Sequence, residues 1–327
     1  MLFIKFEDGQ GLGNQLWLFA SAKSISEKLK LELYIEDLEK FKGKNFLMLK
    51  QNNLLIKNKN FLHKKRTVFN ERLFYDNQLK YLASGFDERV LNIKKNTYLN
   101  GLFQSEKYFF GDLKKLKTYI KIKDSILKAN KIANDICVLN IRGGEYKRHK
   151  KLLVPISYWE GAIKNFKTKF NIKKFIIVTD DYKYARSLFP NLEIVSGDIA
   201  KCYATIYNSK NIIVSNSSFS YFPCKTGFKK NVIAPMFWAR PFNKYNRWMS
   251  PCNIYEDWLW QSEDSELKSY EECLNSAEEN EKFYKESFFV LVDKRFIPAT
   301  SRFRFIPKKI KILIKKFLAF FFPRQIG

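Results

Sequence analysis

The chain has 327 residues, 46% of them hydrophobic and 28% charged, with 59 Lys and Arg against 33 Asp and Glu and a formal net charge of +26. That apolar fraction supports a packed core in one large or two ordinary domains and excludes a disordered chain. Five widely spaced cysteines without a C-x-x-C pair exclude a disulfide framework and a zinc site, and the two histidines, His63 and His149, exclude a His-rich metal centre.

Residues 2–6 form an apolar run read as a first buried strand. The turn Gly9-Gln10-Gly11-Leu12-Gly13-Asn14-Gln15-Leu16 follows, and then a helix over 15–30. Strand, glycine turn and helix is an order that points backbone N–H groups at an anion, and glycines permit positive φ and close approach of a ligand. The spacing is neither G-x-G-x-x-G nor a Walker loop, so an ordinary strand-to-helix turn is the alternative. LELYIE at 31–36 alternates like a second strand, 37–80 is Lys/Asn-rich without a clear period, and 97–104 reads as a strand ending in a turn. Residues 105–135 place Lys and apolar positions at helical spacing.

From residue 135 the pattern sharpens. The runs 136–141, 175–179, 211–214 and 231–234 are short and continuously apolar, as in strands buried on both faces. Helical stretches at 155–170, 182–189 and 198–209 separate them, with a short strand at 192–195. Strands alternating with helices predict an open, mostly parallel sheet over about 131–260. The expected organisation is an amino-terminal α/β domain over 1–130, a second over 131–300 facing it across a cleft, and a tail over 301–327. Residues 262–285 are acidic and predicted helical. The tail is basic and apolar: Ile310, Leu313, Ile314, Phe317 and Phe321 fall on one helical face and Lys308, Lys311 and Lys315 on another. That pattern suits either a membrane interface with anionic head groups, reached through 307–322, or a helix packed on the domain or a second subunit.

Three polar turns fall at carboxyl ends of predicted strands, where ligands bind in such sheets. Arg142 precedes Gly143 and Gly144, so a guanidinium could fork onto a phosphate with room beside it, or form a surface ion pair. Asp180-Asp181 could accept hydrogen bonds from a sugar or base edge, hold a divalent cation, or cap the next helix. Ser215-Asn216-Ser217-Ser218-Phe219-Ser220 offers hydroxyls and backbone N–H groups to a diphosphate, or again a cap. The high charge points to an anionic partner, or reflects a Lys-rich compositional bias. A nucleic-acid reading lacks helix-turn-helix, RNP and zinc signatures, so no nucleic-acid partner is expected. The start MLFIKFEDGQ lacks a signal-peptide pattern, which sets the expectation of a cytoplasmic protein with reduced thiols.

Together the segments resemble glycosyltransferase family 11, the α-1,2-fucosyltransferases. Gly11-Leu12-Gly13-Asn14-Gln15-Leu16 is similar to that family's opening loop, and Gly101-Leu102-Phe103-Gln104-Ser105-Glu106-Lys107-Tyr108-Phe109 to its G-x-x-Q-S-E-x-Y/F-F segment. Asn140-Ile141-Arg142-Gly143-Gly144-Glu145-Tyr146 resembles H-x-R-R-G-D-Y, Val178-Thr179-Asp180-Asp181 resembles F-S-D-D, and residues 212–220 resemble I-I-A-N-S-S-F-S. The resemblance implies a GT-B fold of two Rossmann-like domains, GDP-fucose as donor bound in the second, and inversion at the anomeric carbon without a required metal or cofactor. With the basic tail over 307–322, the acceptor expected is a glycan or lipid-linked glycan at the inner face of the cytoplasmic membrane. By the same resemblance Arg142 holds the β-phosphate, Asp180 or Asp181 contacts the nucleotide, and Ser217, Ser218 and Phe219 line the diphosphate site. Gly11 and Gly13 belong to the donor-side loop, while Asn14 and Gln15 face the cleft near the reacting centre. Asn140, Gly143 and Glu145 stand where the family carries His, Arg and Asp. Glu145 is either the base for the acceptor hydroxyl or a brace for Arg142. Those departures leave another GDP-sugar, or a non-catalytic sugar-nucleotide binder, as the alternatives.

Overall fold

The computed structural model describes residues 1–50, 66–76, 81–83, 85–148, 152–236, 253–287 and 289–291. The amino-terminal part comprises β1 (Leu2–Lys5), α1 (Leu12–Lys28), β2 (Leu33–Glu36), β3 (Leu47–Leu49), β4 (Thr67–Asn70), β5 (Arg72–Asp76), β6 (Tyr81–Ala83) and β7 (Thr97–Asn100). After it come α2 (Leu116–Tyr119), β8 (Ile120–Ile122) and α3 (Asp124–Ala129). A regular alternation follows: β9 (Ile136–Ile141), α4 (Ile156–Lys169), β10 (Lys174–Thr179), α5 (Tyr182–Leu188), β11 (Glu193–Val195), α6 (Ile199–Asn208), β12 (Asn211–Val214), α7 (Ser218–Thr226) and β13 (Asn231–Pro235). The described chain closes with β14 (Leu259–Gln261), β15 (Leu267–Lys268), α8 (Tyr270–Ser287) and β16 (Phe289–Leu291).

The first sheet is parallel, in the order β2-β1-β7-β4. The second runs β11-β10-β9-β12-β13-β14-β15, parallel except for its last strand. Counting from β9, its six parallel strands run 3-2-1-4-5-6, the doubly wound arrangement, and the direction of winding reverses between β9 and β12. Side chains of β9 alternate faces: Cys137, Leu139 and Ile141 join the core beneath α4, whereas Val138 joins the core shared with α6 and α7. That second core is continuous with the residues of β1 and α1, so one hydrophobic cluster welds the two parallel sheets together. Trp17 of α1 stacks on Tyr221 of α7 at 4.1 Å and on Phe109 at 5.6 Å within it.

The buried strands and their helices stand within a residue or two of the predicted ones, because an apolar run flanked by polar turns has one way to be buried. Four expectations need correction. Residues 105–135 do not form a long helix: 3-10 turns at Glu106–Phe109 and Leu113–Lys115, then α2, β8 and α3, take their place. Strand β8 instead pairs antiparallel with β3. The acidic helix begins at Tyr270, since 259–268 fold into the β14–β15 hairpin at the sheet edge. Helix α1 begins at Leu12, inside the glycine turn. Of the turn's glycines only Gly9 adopts positive φ (81°). The last described strand, β16, returns to pair antiparallel with β5. His63, His149 and the basic tail at 301–327 lie outside the described residues. Among the described residues no helix is long and apolar enough to cross a membrane, and Cys137, Cys202, Cys224 and Cys273 are free and buried.

Candidate active site

The three polar turns occupy neighbouring strand ends, because β10, β9 and β12 are adjacent in the sheet. Arg142 leaves the middle strand at the reversal point. Its Nη1 pairs with Asp180 Oδ2 at 2.6 Å and its Nη2 with Glu145 Oε1 at 3.3 Å, while 26% of the side chain stays exposed. Asp180 is held from a second direction, since the Gly143 N–H donates to its Oδ1 at 2.9 Å. A separate carboxylate on each terminal nitrogen holds the guanidinium in place, and among the described residues its other N–H groups make no ion pair or hydrogen bond. Glu145 thus lies within reach of Arg142 while most of its side chain stays exposed. The glycines are needed for space: a Cβ on Gly144, whose φ is +35°, would lie 2.2 Å from Asp180 Oδ2, and one on Gly143 would lie 2.7 Å from Asp181 Cβ.

Asp181 caps α5 by accepting the Tyr184 N–H at 3.0 Å and forms an ion pair with Lys147. Burial opposes its ionisation, but the Lys147 ammonium and the Tyr184 and Gly144 N–H groups outweigh burial and hold its carboxyl below the usual range. On the other flank, the Tyr146 hydroxyl donates to the Asn216 carbonyl at 3.1 Å, which ties the arginine turn to the serine turn. Ser217 caps α7 by accepting the Phe219 N–H. Asn140 is buried in β9 with a long 3.4 Å bond to the Val178 carbonyl, and among the described residues its Oδ1 has no hydrogen-bond partner.

The amino-terminal loop meets the serine turn directly. A Cβ on Gly13 would lie 2.4 Å from the carbonyl carbon of Ser218 and 2.6 Å from the Phe219 nitrogen, so the start of α1 rests backbone to backbone on the start of α7. Two helix amino termini converge there, and each contributes partial positive charge. Asn14 Oδ1 accepts from Ser218 Oγ at 2.7 Å and from Gln104 Nε2 at 2.9 Å.

One predicted site residue does not open to the cleft. Gln15 is fully buried: its Nε2 donates to the Lys40 carbonyl and its Oε1 accepts the Lys42 N–H, so it pins the 40–42 loop. The helical phase that turns Asn14 outward turns its neighbour inward. The half-buried Phe219 ring packs against the core, edge-on to Tyr203 at 6.0 Å. Gly11 caps α1 in extended conformation with open space around its would-be Cβ.

Sequence reading missed the supports. Glu71 is fully buried between β4 and β5; its Oε2 accepts the Leu102 and Phe103 N–H groups at 2.6 and 2.8 Å, and its Oε1 accepts the Tyr108 hydroxyl at 2.8 Å. Burial pushes its carboxyl up to about 7 against those three donors. Glu106 receives the Tyr221 hydroxyl at 2.7 Å and pairs at 3.0 Å with Lys225, which is 5% exposed, also pairs with Asp257, and sits among the rings of Tyr221, Tyr255 and Trp258. The G-x-x-Q-S-E segment was the available signal for this cluster; for Glu71 there was none.

Two α/β units built on parallel sheets are joined so that the polar turns meet at the strand-order reversal, an architecture of the GT-B kind. Residues 31–246 match glycosyl transferase family 11, and the chain belongs to that family. The opening loop at 11–16 precedes the matched stretch. No curated protein matches the chain. Among solved structures it is similar to the fucosyltransferase NodZ from Bradyrhizobium (14% identity, 68% of this chain and 91% of that one, TM-score 0.43). It is also similar to POFUT1 in complex with GDP (8%, 71% and 96%, 0.41) and to a glycosyl transferase family 9 protein from Veillonella parvula DSM 2008 (9%, 88% and 97%, 0.43).

Proposed function

We propose that the protein is an inverting fucosyltransferase that moves L-fucose from GDP-fucose to a hydroxyl of a surface glycan such as lipopolysaccharide or capsule, in an α-1,2 linkage. The observation that carries the reading is the place of Arg142: paired with Asp180 and Glu145, at the strand-order reversal, beside a serine turn that also receives the start of α1. An acceptor hydroxyl oxygen would attack the anomeric carbon from the face opposite the diphosphate. The bond from that carbon to the β-phosphate oxygen would break with its electron pair passing to GDP, and the hydroxyl proton would leave to solvent or to Glu145. Arg142 and the two helix termini would stabilise the charge that grows on the departing phosphate. Removing one such preorganised donor typically costs about 100- to 1000-fold in kcat. In this reading no resident metal supplies that charge. The tail at 307–322 would hold the enzyme on the inner face of the cytoplasmic membrane, near a lipid-linked acceptor.

The test is transfer from GDP-fucose across a panel of galactose-terminated and lipid-linked acceptors, with the product linkage read by NMR. Arg142→Ala should unfold like the parent and lose transfer by about 100-fold or more. Full turnover in that variant would remove the mechanism. Turnover with a different GDP-sugar would move the donor, in line with Asn140 and Gly143 standing where the family carries His and Arg.

A further inference from the structure

We propose that Gln104 is a positioning residue of this site: it fixes the Asn14 carboxamide in one orientation, so that Asn14 Nδ2 is presented as a donor to the terminal phosphate of a nucleoside diphosphate. The inference rests on the donor reading above and adds a residue to it. A carboxamide oxygen has two lone pairs, and in Asn14 both are taken, by Gln104 Nε2 and Ser218 Oγ. Nδ2 therefore lies on the opposite edge of the half-buried side chain, and among the described residues it has no partner. Its surroundings are the amino termini of α1 and α7, which attract an anion and repel a cation.

The loop that carries Gln104 is built to hold it. Phe103 adopts φ +50°, a conformation that costs a bulky residue about 1–3 kcal/mol and persists where the surroundings over-determine it. Here they do. Glu71 takes the Leu102 and Phe103 N–H groups, Ser21 Oγ donates to the Phe103 carbonyl at 2.9 Å, and Asn253 Nδ2 donates to the Gln104 carbonyl at 2.9 Å. A Cβ on Gly101 would lie 2.5 Å from Glu71, so the strand end and the carboxylate fit only with glycine. Three separate parts of the chain thus converge on one backbone segment whose side chain ends on Asn14.

The experiment is calorimetric titration of the full chain with GDP and with GMP, which lacks the terminal phosphate. In Gln104→Glu the new carboxylate accepts and cannot donate, so the Asn14 carboxamide turns and offers its oxygen to the phosphate. GDP affinity should then fall about tenfold or more, the scale of a lost charge-assisted hydrogen bond, while GMP affinity stays within about twofold. Gln104→Met, which removes the donor without imposing the reverse orientation, should lower GDP affinity about two- to fivefold, and decides the matter if the charged variant does not fold. A GDP-to-GMP affinity ratio equal to the parent's in the folded variants would overturn the inference and leave the donor reading standing. A parent protein that binds neither nucleotide would overturn the donor reading and this inference with it.

Discussion

Gly13→Ala separates two opposing effects at one position. In an exposed helix interior, Ala is more stable than Gly by about 1 kcal/mol, so intrinsic propensity alone makes the variant more stable. Gly13, however, is buried in the first turn of α1, and the added Cβ would meet three backbone atoms of Ser218 and Phe219 at 2.4–2.6 Å. Backbone cannot rotate away as a flexible side chain can. The two helices must part by at least about 0.6 Å to bring the nearest atom to 3.0 Å. Overpacking of that kind costs typically about 1–3 kcal/mol, and here the upper end applies because the neighbours are themselves a capped helix start. The net expectation is a loss of about 2 kcal/mol by urea denaturation, with an unchanged slope against denaturant. Gly11→Ala is the internal control: its Cβ meets nothing within 4 Å, so only the weaker capping by Ala remains, about 0.5 kcal/mol. A Gly13→Ala variant as stable as the parent would refute the close approach of α1 to α7, and with it the seating of Asn14 on Ser218.

Other expectations follow from the buried charges. The Glu71 carboxyl lies at about 7 when folded and at 4.5 ordinarily, so between those values the folded state binds more protons than the unfolded one. Stability contributed by this group is therefore present at low pH and falls as pH rises from about 4.5 to about 7, by up to about 3 kcal/mol. The difference in melting temperature between the parent and Glu71→Gln, followed across that range, checks it; a pH-independent difference would refute it. Lys225→Met strands Glu106 and should cost about 2–4 kcal/mol. Combining it with Glu106→Gln should recover part of that loss in a double-mutant cycle, and strict additivity would count against the pair. Asp198 caps α6 by accepting the Ala200 and Lys201 N–H groups, so Asp198→Ala should cost about 1 kcal/mol by chemical denaturation, with transfer unaffected.

The candidate site was legible where its parts are local. Arg142, Asp180 and Ser217 each follow an apolar run, and a run that must be buried on both faces announces the strand end that carries them. Gln15 was misread because a single glycine turn does not reveal the phase of the helix that starts within it. The stretch 37–80 was silent because β3 and β4 are short edge strands and β5 is a short strand between β16 and β6, each matched by pairing rather than by a strong pattern of its own.

The amino-acid sequence by itself determined the alternation of strands and helices over 136–235, the polar turns at their ends and the family signature, since all of these reside in contiguous residues and their periodicity. Tertiary structure decided everything that joins distant residues. Asn14 meets Gln104 across 90 positions and Ser218 across 204, and Tyr221 reaches Glu106 across 115. It also decided that Glu71, an isolated acid between two strands, holds the loop of Gln104. The physical reason is that a hydrogen bond depends on where the backbone has already been carried by core packing. Periodicity reports which face of an element is buried, but not what lies against it.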